Sequence, residues 1–239
     1  MARHTQHFEN AITRLKKMIH SLGAHVEENV TAAVRSIINR DAALGTRIIE
    51  SDNTIDNMEV ELEEECLKVL ALYQPVANDL RLIVALLKIN NDLERIGDLA
   101  VNMAERAVFL ADQGGVSIPK EFPLMAEKTQ WMLKNALDSL VNLDPVLARR
   151  VCAMDDEVDE LNRKMFEAFE NQLNRGPDKL RPMLELLSAA RYLERVADHA
   201  TNICEDVIYL IGGEIVRHRK EALIIPLNQA KKEEGQKKG

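Results

Sequence analysis

A chain of 239 residues with 46% hydrophobic but only 4% aromatic residues and seven prolines has the composition of helices packed on helices, and sheet is not expected. A net charge of −8 and an isoelectric point near 5.4 exclude a nucleic-acid partner held through phosphates, which needs a basic face. No run approaches the roughly 18 apolar residues of a membrane span; the N-terminus lacks the apolar core of a secretory signal; and Cys66, Cys152 and Cys204, far apart and without a CxxC spacing, suggest neither a disulfide framework nor a zinc site. A cytoplasmic protein with buried, reduced thiols is the expectation.

In chain order, a first helix is expected over 6–39. His4 and His7 lie at its fraying start, where no metal role is expected. Asp41 is an N-cap type residue before a second helix over 42–73, which Tyr73-Gln74-Pro75 interrupts. A third runs over 77–111, closed by Gly114-Gly115, and Ser117-Ile118-Pro119 opens a link. The pattern then repeats: a helix over 122–142, Asp144-Pro145 with the proline at the first helical position, a helix over 145–174, a turn at Asn174-Arg175-Gly176-Pro177, and a helix over 179–211 closed by Gly212-Gly213. Apolar residues in the third helix (Leu82, Leu86, Ile89, Leu93, Ile96, Ala100, Met103) alternate steps of four and three, and in the second Ile48, Ile55, Leu62 and Val69 recur every seven. Such seams pack long, nearly antiparallel helices at about 20°.

The repetition is a duplication. Residues 80–110 align with 180–210 without a gap and are identical at 12 of 31 positions. The fold expected is all-α: two tandem three-helix bundles, residues 1–115 and 116–215, followed by a charged tail over 216–239. The tail's charge run reads as solvated. Its apolar island, Leu223-Ile224-Ile225, is a candidate for docking on the bundle or on a partner.

Packing alone does not ask a duplicated core to keep carboxylates, yet Glu94 and Asp98 recur as Glu194 and Asp198, and the preceding helices carry Asp52 and Asp56, and Asp155 and Asp159. Each pair lies one turn apart on one helix face. In an antiparallel hairpin, residues equidistant from the turn share a level. Asp56 with Glu94, and Asp52 with Asp98, both have residue 75 as midpoint; the second-half pairs both have 176.5. Four carboxylates are therefore expected together in each half, and their repulsion is relieved by protonation or a cation. Oxygen ligands favour Mg²⁺, Ca²⁺ or Mn²⁺, and carboxylate-rich helical sites also hold iron; zinc is kept open as well. Asn102 and Asn202, one turn further on, could add amide oxygens or orient water. Two plainer readings compete: Glu94 and Asp98 fall at b and f positions of the heptad, away from the core, and Arg95 and Arg195 could hold the acids in ion pairs. His199, next to Asp198, points to a different face and is expected on the surface.

No histidine has Glu three residues before it, as a ferritin-like dimetal oxidase requires, and there is no GxxxxGK[ST], GxGxxG or nucleophile elbow. A non-enzymatic interaction protein is expected, the alternative being a metal-dependent enzyme that activates water at the four-carboxylate sites.

Three segments carry a family resemblance: Gln74-Pro75-Val76-Ala77-Asn78-Asp79-Leu80-Arg81, Leu93-Glu94-Arg95-Ile96-Gly97-Asp98, and Leu193-Glu194-Arg195-Val196-Ala197-Asp198 with Asn202-Ile203-Cys204-Glu205. Over residues 5–215 the chain resembles the PhoU family of bacterial phosphate-specific transport systems. The resemblance implies a cytoplasmic, often dimeric negative regulator of the phosphate-starvation response. It would couple the ATPase subunit of the phosphate ABC transporter to a sensor histidine kinase, reaching the membrane only through partners. It also implies metal clusters on the paired acidic motifs, here Asp52, Asp56, Glu94 and Asp98 with Asp155, Asp159, Glu194 and Asp198. Two departures stand out: Ala197 replaces the glycine of the first motif, and the second copy has no counterpart of the Gln74–Arg81 turn.

Overall fold

The computed structural model describes residues 2–113, 116–173 and 180–213, with side chains for 6–113, 116–171 and 180–213. Six helices span Ala2–Asn39 (α1), Ala42–Tyr73 (α2), Ala77–Asp112 (α3), Glu121–Asn142 (α4), Pro145–Leu173 (α5) and Leu180–Gly212 (α6), and no strand occurs among the described residues. The Gly114-Gly115 stop, the Asn174–Pro177 turn, the expected start of the sixth helix at 179, the His4 side chain and the tail from residue 214 lie outside the described residues.

The helix starts follow from the expected caps. The Asp41 carboxylate accepts the Leu44 N–H at 2.9 Å, and Asp144 accepts those of Val146 and Leu147 at 2.9 and 3.0 Å. The turn before each cap is the same in both halves. Arg40 and Leu143 take left-handed conformations (φ 54° and 51°), and the N–H groups of Asp41 and Asp144 return to the carbonyls of Ser36 and Ser139 at 2.9 Å. Gln74 ends α2 in the same way, its N–H bonded to Leu70 O at 3.2 Å.

Each half is a three-helix bundle, α1 to α3 and α4 to α6. The seams are buried as the heptads require: Ile48, Ile55, Leu62 and Val69 from α2 meet Leu86, Ile89, Leu93, Ile96, Ala100 and Met103 from α3. Cys66 is fully buried, and burial pushes its thiol up to about 12. Cys204, also buried, lies against Cys152, and burial holds its thiol far above the ordinary range.

The halves join through α3 on α6, with α1 against α4, leaving α2 and α5 outermost. The α3–α6 seam is antiparallel, because its polar bridges pair late residues of one helix with early residues of the other. The Lys88 ammonium lies 3.3 Å from the buried Asp206, Arg106 donates to Glu185 at 2.9 Å, and Nδ1 of His199 lies 2.7 Å from Asp92 Oδ1. His199 is thus not a surface residue. It does turn away from Asp198, but the face it turns to is the one that meets the other half.

Candidate functional site

The outer hairpins, α2–α3 and α5–α6, place the duplicated acids. In the first half Asp52 feels the charges of Asp56 and Asp98, and Glu94 feels those of Asp98, Glu59 and Asp56. In the second half Glu194 faces Asp159 and Asp155, and Asp198 faces Glu194 and Asp159. The eight carboxylates therefore fall into two sets of four, each within electrostatic reach of others in its set.

The acids are less solvated than b and f positions imply. Side-chain exposure is 24% for Glu94 and 41% for Asp98, and Asp52 is also half-buried. Burial first, and neighbouring anions second, raise Asp52, Glu94, Glu194 and Asp198 above the ordinary carboxylate range. Arg95 partly offsets this in the first half: its Nε is 3.3 Å from Glu94 Oε2 and its Nη1 3.5 Å from Asp98 Oδ2. At 53% exposure, Arg95 is well hydrated and such pairs are weak.

The donor set suits a hard cation, and two atoms within it are unsatisfied. Asp52 Oδ1 and Glu94 Oε2 are buried without a hydrogen-bond partner, since the Arg95 approach to Glu94 lacks hydrogen-bonding geometry. As the side chains stand, no three or more of His, Cys, Asp and Glu converge closely enough to hold a metal ion among the described residues. Four acids that repel one another splay apart, and a cation would have to draw them in.

The two asparagines differ. Asn102 donates to the carbonyl of Asp98 at 2.8 Å, its own helix one turn back, while Asn202 donates to Asp92 Oδ1 across the seam at 3.3 Å. Two residues escaped the sequence reading. Glu59 adjoins Asp56 and Glu94, and the buried Asn90 donates to the Glu59 carbonyl and to Glu59 Oε1, both at 3.0 Å. Burial and the charges of Glu63 and Asp56 raise Glu59 too. The hairpin rule would have found this pair, since 59 and 90 have midpoint 74.5. In the second half Asn162 stands where Glu59 does, so the first cluster carries an extra acid.

The PhoU domain model matches residues 19–107 and again 122–207, one match in each half. The chain belongs to the PhoU family. It is 35% identical over 209 residues to the phosphate-specific transport system accessory protein PhoU homolog 1 of Thermotoga maritima, covering 87% of this chain and 90% of that one. It is 36% identical over 217 residues to the PhoU homolog of Pseudomonas aeruginosa, covering 90% and 89%. The crystal structure of PhoU from Pseudomonas aeruginosa superposes with a TM-score of 0.83 at 35% identity, over 87% of this chain and 100% of that one. That of the phosphate transport system regulatory protein PhoU from Streptococcus pneumoniae gives 0.79 at 25% identity, over 87% and 99%.

Proposed function

We propose that this protein is a cytoplasmic accessory regulator of phosphate uptake that represses the phosphate-starvation response through protein contacts rather than catalysis. The observation that carries the reading is the match of both halves to the PhoU domain, together with relatives named as accessory proteins of phosphate-specific transport. The partners in this reading are the ATPase subunit of the phosphate ABC transporter and the sensor histidine kinase of the phosphate regulon, with the protein acting as a homodimer. No helix among the described residues is long and apolar enough to cross a membrane, and in this reading the protein approaches the membrane through those partners. Rigid helical rods with apolar residues in the open, such as Leu72 (70% exposed) and Val76 (74%) at the α2–α3 turn, suit contact with other proteins.

Metal enters the same reading. Asp52, Asp56, Glu94 and Asp98 would hold one ion or cluster, Asp155, Asp159, Glu194 and Asp198 another; Asn102 and Asn202 serve as backbone and seam anchors beside them. The ion would supply positive charge to two crowded anionic faces, fixing the spacing of each outer hairpin. Magnesium, manganese, iron and zinc all fit an oxygen-rich set.

Deleting the protein in its host should raise a phosphatase reporter at high phosphate, and restoring the wild-type chain should silence it. The variant Glu94→Gln, Asp98→Asn, Glu194→Gln, Asp198→Asn should restore silencing poorly and lose metal in elemental analysis of protein purified without chelator. Full silencing by the variant would remove the metal from the mechanism, and a reporter indifferent to deletion would remove the regulator.

A further inference from the structure

The two halves differ at one corner. Beside the end of α1, the chain that links the halves is locked in place. Arg40 donates from its guanidinium to the carbonyls of Leu110 (2.8 Å), Gln113 (2.7 Å) and Val116. Val116 is buried, Ile118 packs on the core, and Pro119 with Leu186 borders a void of only about 10 Å³.

The duplication creates a matching corner. Counterparts are 103 residues apart in α1 and α4 (Asp41 and Asp144) and 100 apart in α3 and α6 (Glu94 and Glu194), so Leu143 answers to Arg40, Leu86 to Leu186 and Lys16 to Pro119. The relation holds in space: Arg81 lies 5.7 Å from the Tyr209 ring centre, and its counterpart Arg181 lies 4.9 Å from that of Phe109. This second corner is open. Leu82, Leu86, Leu140 and Leu143 line a groove of about 290 Å³, with Lys16 and Lys17 on its rim. Leu143 is 44% exposed and the adjoining Val141 56%.

The described chain reaches Gly213 at this corner. Its N–H bonds to Tyr209 O at 2.9 Å, and a Cβ built on it would lie 2.9 Å from the Arg81 guanidinium. Gln113 holds the corresponding position in the other copy, three residues before the buried Val116. Three residues beyond Gly213 the sequence again has valine, Val216, preceded by Ile215. Three extended residues span roughly 10 Å.

We infer that the segment after Gly213 lies in this groove as a strap, with Ile215 and Val216 on Leu82, Leu86, Leu140 and Leu143. The link is tied at both ends and bolted by Arg40. The strap is tied to the bundle at Gly213, and Leu143 offers no donor to its carbonyls. It is therefore the unbolted copy of a fixed element, seated over an apolar groove flanked by lysines on an otherwise acidic protein.

The full chain carrying Leu143→p-benzoylphenylalanine, irradiated and digested, should yield an intramolecular crosslink to residues 214–219. Crosslinks to another copy of the chain, or to 220–227 alone, would overturn the assignment, as would none to any residue beyond 213. Truncation after Gly213, and Ile215→Asp with Val216→Asp in the full chain, should each raise the fluorescence of an apolar-surface dye several-fold, while truncation after Arg219 leaves it unchanged. A rise of the same size on truncation after Arg219 would mean that the Leu223–Ile225 island covers the groove and would sink the proposed register. No rise with any of the three would show that the groove is not covered by this segment.

Discussion

Gly97 sits at a close contact between α2 and α3: a Cβ there would stand 3.1 Å from Ile55 Cγ2. In the second half Ala197 takes its place, and Val158 replaces Ile55. One carbon is added where another is removed, so the departure from the family motif at Ala197 is a compensated repacking. Gly97→Ala sets an overpacking cost of about 1–3 kcal/mol against a gain of about 1 kcal/mol in helix propensity. With Ile55→Val alongside, the overpacking falls away and the alanine should become neutral or stabilising, a coupling of about 1 kcal/mol or more in urea unfolding. Equal effects in both backgrounds would refute the exchange. The raised carboxylates give a second expectation. Asp52, Glu94, Glu194 and Asp198 hold protons more tightly folded than unfolded, so no stability is lost below the ordinary carboxylate range. The loss grows as pH rises through the raised folded values and is complete above them. Chelator-treated Asp52→Asn should therefore melt about 1–2 °C above the parent at pH 7, a margin that closes near pH ~3.5. An Asn variant that melts lower at pH 7 would mean that the Asp52 charge is satisfied in the fold.

At the scale of the helix, the caps carry a measurable share. Asp144 accepts two backbone N–H groups and Asp41 one, so Asp144→Ala should cost about 1–2 kcal/mol and Asp41→Ala about 1 kcal/mol in denaturant midpoints. A larger loss at Asp41 would contradict that order. These same residues made the elements legible before any coordinates. Asp41, Gln74 and Asp144 mark chain reversals by local chemistry, and the heptads of α2 and α3 mark which faces are buried, so the helix bounds expected at 39, 42, 73, 77, 142 and 145 coincide with the observed ones. That the acids of each hairpin act on one another was legible for the same reason, because an antiparallel hairpin converts sequence distance from its turn into height. Glu59 and Asn90 obey that rule but lack a like pair in the other copy, where Asn162 and Ala190 stand, and a search for what is repeated passes over them. The depth of the site was not legible either. Heptad letters describe a helix facing one neighbour, whereas α3 is flanked by α1, α2 and α6, which leaves Glu94 only 24% exposed.

At the scale of the molecule, the halves dock in part through what the duplication did not keep. Asp92, His199, Lys88, Asp206 and Glu185 have Tyr192, Leu99, Ser188, Arg106 and Ala85 as counterparts, so the ion pairs Lys88–Asp206, Arg106–Glu185 and His199–Asp92 across α3 and α6 have no mirror image, whereas the stacking of Arg81 on Tyr209 is mirrored by Arg181 on Phe109. Likeness between copies could not reveal contacts built on difference, which is why His199 reads as a surface residue in the sequence. These bridges favour one register of the seam, because a slip of one turn would separate each pair. Asp92 is the test, because it is 9% exposed and takes both His199 and Asn202. Asp92→Ala strands two donors at once and should cost about 2–4 kcal/mol. Because the loss falls between the halves, it should also lower their coupling: calorimetry should give a van't Hoff enthalpy well below the calorimetric one, where the parent melts with the two nearly equal. Asp92→Asn, which keeps an acceptor for one donor, should fall between. If Asp92→Ala lowers the melting temperature while the two enthalpies stay equal, the bridge stabilises α3 alone and the halves are held together by their apolar seam.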